Sequence, residues 1–131
     1  MMQLKLTDTA LQRFKDKGID QKTLLLVTDD GGGKYSLQGG ACSIGAKFTI
    51  VVLDQPDKLY PIELKNNANL KLYTSDYDLY FFSEGLTLDF KQYQFSLKDN
   101  SGILDGAVQI ANGQDILAAF EQGITAAGKS C

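Results

Sequence analysis

Leu4 and Leu6 alternate with Lys5 and Thr7, a period of two that predicts a short strand at the start of the chain. Thr7 or Asp8 can then cap a helix over about 9–17, with Leu11 and Phe14 three apart on one face and Gly18 placed to end it. Thr23 to Thr28, TLLLVT, is a continuous apolar run of strand length, of the kind found where a strand is covered on both faces. Asp29 and Asp30 end it. Strand character returns in KFTIVVL, Lys47 to Leu53, and Gln55-Pro56-Asp57 makes a turn. Tyr60, Ile62 and Leu64 alternate, but Pro61 has no N–H for a ladder, so this piece belongs at a sheet edge or starts at the proline.

After a turn at Asn66, Asn67 and Asn69, the alternation of Leu70, Leu72 and Thr74 predicts another strand. Ser75, Asp76 and Asp78 then form a helix start with acidic residues in its first turn, and Tyr77, Tyr80, Phe81 and Phe82 are expected on its apolar face. Leu86 to Phe90 and Tyr93 to Leu97 read as two strands around Lys91 and Gln92, with Asp99-Asn100-Ser101-Gly102 as the next turn. Ile103 to Ala111 is only weakly apolar. An N-cap at Asn112 opens a last helix that carries Ile116, Phe120 and Ile124 at successive fours, and Gly128 marks its stop. The succession predicts a β-rich α+β domain over residues 1–111, followed by a C-terminal helix and tail over 112–131.

One stretch does not fit a packing rationale. Gly31 to Gly45, GGGKYSLQGGACSIG, holds six of the thirteen glycines and one of the two cysteines. Glycine at this density offers no side chain to pack and suits backbone conformations that other residues avoid. The bulk properties narrow what the stretch can do. A length of 131 residues suits one domain, and 44% apolar with 22% charged residues is ordinary for a globular chain. The net charge is -3 and the basic residues are scattered singly, which argues against a nucleic-acid partner. No apolar run approaches the length of a membrane span, and MMQLKLTDTA lacks the basic start and apolar core of a signal peptide, so a cytoplasmic location is expected. There is no histidine, which excludes Ser-His-Asp triads, Cys-His dyads and His-containing zinc sites.

Two motif readings of the glycine stretch fail on spacing. A P-loop needs a glycine five residues before Gly33, where Thr28 stands, and Ser or Thr where Tyr35 stands. A G-x-G-x-x-G fingerprint would need glycine at Ser36. Cys42 is the remaining chemistry. Gly39, Gly40, Ser43 and Gly45 frame it and leave backbone N–H groups free to face a thiolate or a metal-bound sulfide, although a small cysteine in a tight loop is an equally good bland reading. Thiol catalysis lacks a histidine base, so no catalytic residue is expected and the chain reads as a non-enzyme. Cys131 is the other thiol. Common iron-sulfur clusters take four cysteine ligands, so a clustered site built from Cys42 and Cys131 implies a homodimer.

LKLTDTALQRFKDKG, LLLVTDDGGG, the Gly-Gly-Ala-Cys-Ser-x-Gly piece and FFSEGLTLDFKQYQFSLKDNSGIL, taken in this order over residues 3 to about 104, resemble the HesB-like, or A-type, iron-sulfur biosynthesis family, nearest to its divergent Gram-positive branch. The resemblance implies a compact β-rich HesB-like fold and a role as scaffold or carrier of an iron-sulfur cluster or iron. It makes Cys42 the first ligand and iron-sulfur assembly or recipient proteins the partners. Two departures stand out. Ala41 separates the glycines from Cys42, and Ile103 to Gly113 contains no Cys-Gly-Cys pair, leaving Cys131 as the one further thiol. The alternative is a protein-interaction module of the same fold without cluster binding.

Overall fold

The computed structural model describes residues 2–29, 35 and 47–121. Nine strands and three helices follow in the order β1 (Gln3–Leu6), α1 (Asp8–Asp16), β2 (Thr23–Asp29), β3 (Lys47–Leu53), β4 (Ile62–Glu63), β5 (Lys65–Asn66), β6 (Lys71–Thr74), α2 (Asp76–Leu79), β7 (Thr87–Lys91), β8 (Gln94–Asp99), β9 (Gly102–Asn112) and α3 (Gly113–Glu121). The α+β class read from the sequence holds.

All nine strands join one mixed sheet in the order β4-β6-β2-β3-β9-β8-β7-β1-β5. The two outermost strands, β4 and β5, are separated in the chain only by Leu64. Leu64 is fully buried, and its N–H donates to the Leu72 carbonyl at 2.8 Å. The two ends of the sheet therefore meet at one short segment, which curls the sheet almost closed. Pro61 sits just before β4, at the sheet end where a missing N–H is tolerated.

The sheet has two buried faces, and the central strands serve both. Every residue of β2 is buried, as its unbroken apolar run requires. Leu24 and Leu26 face a large core with Leu4, Leu6, Ile50, Leu88 and Leu97, and α1 lays Ala10 and Phe14 over it. Leu25 and Val27 face a smaller cluster with Val51, Leu53, Tyr35 and Ile116 of α3. Thr7, rather than Asp8, caps α1: its Oγ1 accepts from the Ala10 N–H at 3.3 Å, and Gly18 ends the helix at φ 72°.

Two expectations change. Ser75 does cap α2, yet the helix is a single turn whose buried residue is Asp78. Phe82 is buried, but Tyr77 and Tyr80 are exposed, so the four aromatics do not form one apolar face. The weakly apolar piece after Gly102 is the longest strand of the sheet. Its antiparallel register on β8 shifts between Phe95↔Val108 and Leu97↔Asp105, an irregularity that interrupts the alternation.

Candidate functional site

The glycine stretch connects β2 to β3, and its stem is the most regularly paired part of the sheet. All seven pairs from Thr23↔Leu53 to Asp29↔Lys47 run in unbroken antiparallel register. Toward the loop, however, the flanking strands run out. β6 pairs with β2 only as far as Leu25↔Tyr73, and β9 pairs with β3 only from Thr49↔Gln109 onward. Backbone groups on the outer sides of the stem then need partners from elsewhere.

Side chains supply them. The Thr28 N–H donates to Asp78 Oδ1 at 2.8 Å, and the Phe48 N–H donates to Asp105 Oδ2 at 2.9 Å. Thr28 and Phe48 are register partners, so the two carboxylates grip the hairpin from both sides at one level, one pair before the end of the stem at Asp29↔Lys47. Both aspartates are buried. Each is held in turn: the Ser75 hydroxyl donates to Asp78 Oδ2 at 2.7 Å, and the Ala107 N–H donates to Asp105 Oδ1 at 2.9 Å. Thr74 completes the β2 side by donating its hydroxyl to the Leu26 carbonyl at 2.8 Å.

Tyr35 is the described residue within the connection, and it is 4% exposed. Its ring packs in the smaller cluster, with the Tyr60 ring centroid 5.9 Å away, and its hydroxyl donates to Asp57 Oδ2 at 2.6 Å. Burial first, and then the neighbouring Asp57 carboxylate, hold the Tyr35 phenol above its ordinary range. Tyr60 is pushed up to about 12 by burial and by the charges of Asp78 and Asp57. Both phenols are therefore neutral at physiological pH, and Tyr35 serves as a pin that fixes its point of the connection on the sheet rather than as an anionic ligand. Gly113 opens α3 directly against this pin, where an added Cβ would meet Leu53 and Tyr35.

Gly39, Gly40, Cys42, Ser43, Gly45 and Cys131 lie outside the described residues. Among the described residues no group of three potential metal-ligating side chains comes together, and no helix is long and apolar enough to cross a membrane. Sequence reasoning passed over Asp78, Asp105, Tyr35 and Asp57 as site residues. Asp78 reads as a first-turn helix acid and Asp57 as a turn residue. An isolated Asp105 in a weakly apolar piece, and one aromatic inside a glycine run, are the signals that point to them.

The model for the iron-sulphur cluster biosynthesis family matches residues 2–112. The fold is similar to the crystal structure of a candidate Fe-S biosynthesis protein from Lactobacillus acidophilus, with a TM-score of 0.83 and 38% identity over 93% of this chain and 99% of that one. It is also similar to that of a candidate Fe-S biosynthesis protein from Lactobacillus salivarius, described as a novel protein fold, with a TM-score of 0.68 and 24% identity over 85% of this chain and 98% of the other. No curated protein matches the chain significantly.

Proposed function

Because this chain belongs to the iron-sulphur cluster biosynthesis family, we propose that it is a non-enzymatic cytoplasmic protein of iron-sulphur cluster assembly, a scaffold or carrier that receives a cluster or iron as cargo through Cys42. The observation that carries this reading is the hairpin stem. Two buried carboxylates grip it at the Thr28↔Phe48 level, and the connection it supports contains Cys42 within a glycine frame. Flanking glycines let backbone N–H groups approach a sulfur closely, which favours the thiolate over the thiol. Cys42 also falls inside the stretch matched by the family model, whereas Cys131 falls after it. The cargo would pass to or from other assembly or recipient proteins.

Anaerobic incubation with ferrous iron and sulfide tests the proposal. The native chain should develop the broad visible absorption of sulfur-to-iron charge transfer, and Cys42→Ala should lose it. An unchanged spectrum in that variant overturns the assignment of Cys42. Cys131→Ser run in parallel decides whether the second thiol takes part.

One observation favours the interaction-module alternative. After the last strand the chain goes directly into α3, and from Ile103 to Gly113 there is no cysteine. That reading expects no cluster under any reconstitution conditions. Deleting α3 is a poor test of it, because Ile116 is 3% exposed and belongs to the smaller core. Substitutions at the exposed Gln114 and Asp115 probe the helix surface without opening that core.

A further inference from the structure

On the sheet face opposite Tyr35, a cleft of about 320 Å³ opens between α1 and the β7–β8–β9 strands. Its size is at the small end of ligand pockets. Arg13 of α1 and Lys17 at its C-cap line it, four residues apart, while Phe90, Gln94 and Gln109 line it from the strands and Tyr93 from the β7–β8 turn. The Arg13 guanidinium lies over the Phe90 ring, 5.2 Å from its centroid, and the Phe90 and Phe95 rings pack tilted at 52° with centroids 4.8 Å apart.

The charges in this cleft are unbalanced. No acidic side chain is among its described lining residues, although the chain as a whole has sixteen acidic and thirteen basic residues. Neither Arg13 nor Lys17 has an ion-pair partner among the described residues, and the buried Nε of Arg13 has no acceptor there. Native structures seldom leave a buried donor unmatched, and such a group calls for an explanation. One flank of the guanidinium is shielded by an aromatic ring, which lowers the local dielectric and strengthens attraction to an anion at the open edge.

We propose that this cleft binds a short dicarboxylate, with one carboxylate on the open edge of the Arg13 guanidinium and the other on Lys17. Residues four apart on a helix have Cβ atoms about 6 Å apart, which suits two carboxylates joined by a short carbon chain. The Phe90 and Tyr93 rings cover that carbon chain, and the Gln94 and Gln109 amides donate to the remaining oxygens. The site shares no residue with the stem that carries the proposed function and stands independently of the cluster-assembly reading.

Calorimetric titration of the full chain at low salt with glutarate, acetate and glutaramide tests the assignment. Glutarate should bind saturably at one site, more tightly than acetate, and glutaramide should not bind. Arg13→Met keeps an unbranched side chain over Phe90 but removes the charge, and should weaken glutarate at least about tenfold, a step of 1.4 kcal/mol. The same variant should unfold at an unchanged or higher temperature, because it removes an unpaired, partly desolvated cation. A structural arginine would not show that combination. Lys17→Gln should bring glutarate down to the affinity of acetate. Absence of saturable binding up to about 10 mM, or equal weakening by Lys5→Gln in a different cleft, overturns the proposal.

Discussion

Asp105 and Asp78 each satisfy one backbone N–H that the sheet leaves unpaired at the mouth of the hairpin. Removing such an acceptor leaves a buried donor without a partner, a loss of about 1–3 kcal/mol. Asp105→Ala, which strips the acceptor from both the Phe48 and Ala107 N–H groups, should therefore lower the unfolding free energy measured in urea by at least an amount in that range, and Asp105→Leu, which fills a similar volume without an acceptor, should lose about as much. A loss near zero in the leucine variant would mean that packing, not hydrogen bonding, holds the stem. Asp99 works differently, as a pH-dependent brace of the turn after β8. The Ser101 hydroxyl and N–H donate to its Oδ1 at 2.6 and 2.9 Å, and the Ser83 N–H donates to Oδ2 at 3.0 Å. These donors, led by the Ser101 hydroxyl, bring its carboxyl down to about 2, below the ordinary value of about 3.9. The folded-state value lies below the unfolded one, so the stabilisation is fully present above about pH 4 and is lost as pH falls toward 2. Asp99→Asn should thus destabilise most near neutrality, with the gap from the native chain closing between about pH 4 and 2 in denaturation midpoints. A gap of constant size would assign the effect to shape rather than charge.

The strands that are legible in the sequence are those whose alternation or continuous apolar run reports local burial. β3 reads at its observed bounds, Lys47–Leu53, and the strand character of β1, β2 and β6 is equally plain. β9 does not read as a strand because the register irregularity on β8 between Asp105 and Val108 breaks the period of two that would have revealed it. α2 misleads for another reason. Ser75 is a true N-cap, but the chain leaves the helix after one turn, so spacing along a longer helix says nothing about Tyr80, which is 88% exposed. The β7–β8 hairpin turns through Gln92 at φ 52° and Tyr93 at φ 65°, a left-handed pair that two-residue hairpin turns require and that asparagine and glycine adopt more readily. A bulky residue such as tyrosine is uncommon there. The double substitution Gln92→Asn with Tyr93→Gly should raise stability by on the order of 1 kcal/mol, measured as an upward shift of the urea midpoint with an unchanged slope. Because Tyr93 also lines the dicarboxylate cleft, the same variant should weaken glutarate, a trade between stability and binding at one turn.

At the scale of the molecule, the near-closure of the sheet through Leu64 is not legible, because the alternation of Tyr60, Ile62 and Leu64 marks an edge strand without showing what it meets, and β5, two residues long, carries no period. The grip on the stem is hidden for a related reason. Asp78 meets Thr28 across 50 positions and Asp105 meets Phe48 across 57, pairings that only the assembled sheet creates. Composition, by contrast, already limits how the proposed cluster could be held. Cys42 and Cys131 are its two thiols and it has no histidine, while the common clusters take four cysteine ligands. A cluster ligated by thiolates alone then requires two chains, each contributing both cysteines. Gel filtration after anaerobic reconstitution should place the visible absorption in a dimer fraction, with cluster content near one for every two chains. Cys131→Ser should remove half of that ligand set and move the remaining iron into poorly retained forms. Full absorbance in a strictly monomeric fraction would overturn the shared-cluster arrangement and assign the missing ligands to oxygen donors or to the partner that supplies the cargo.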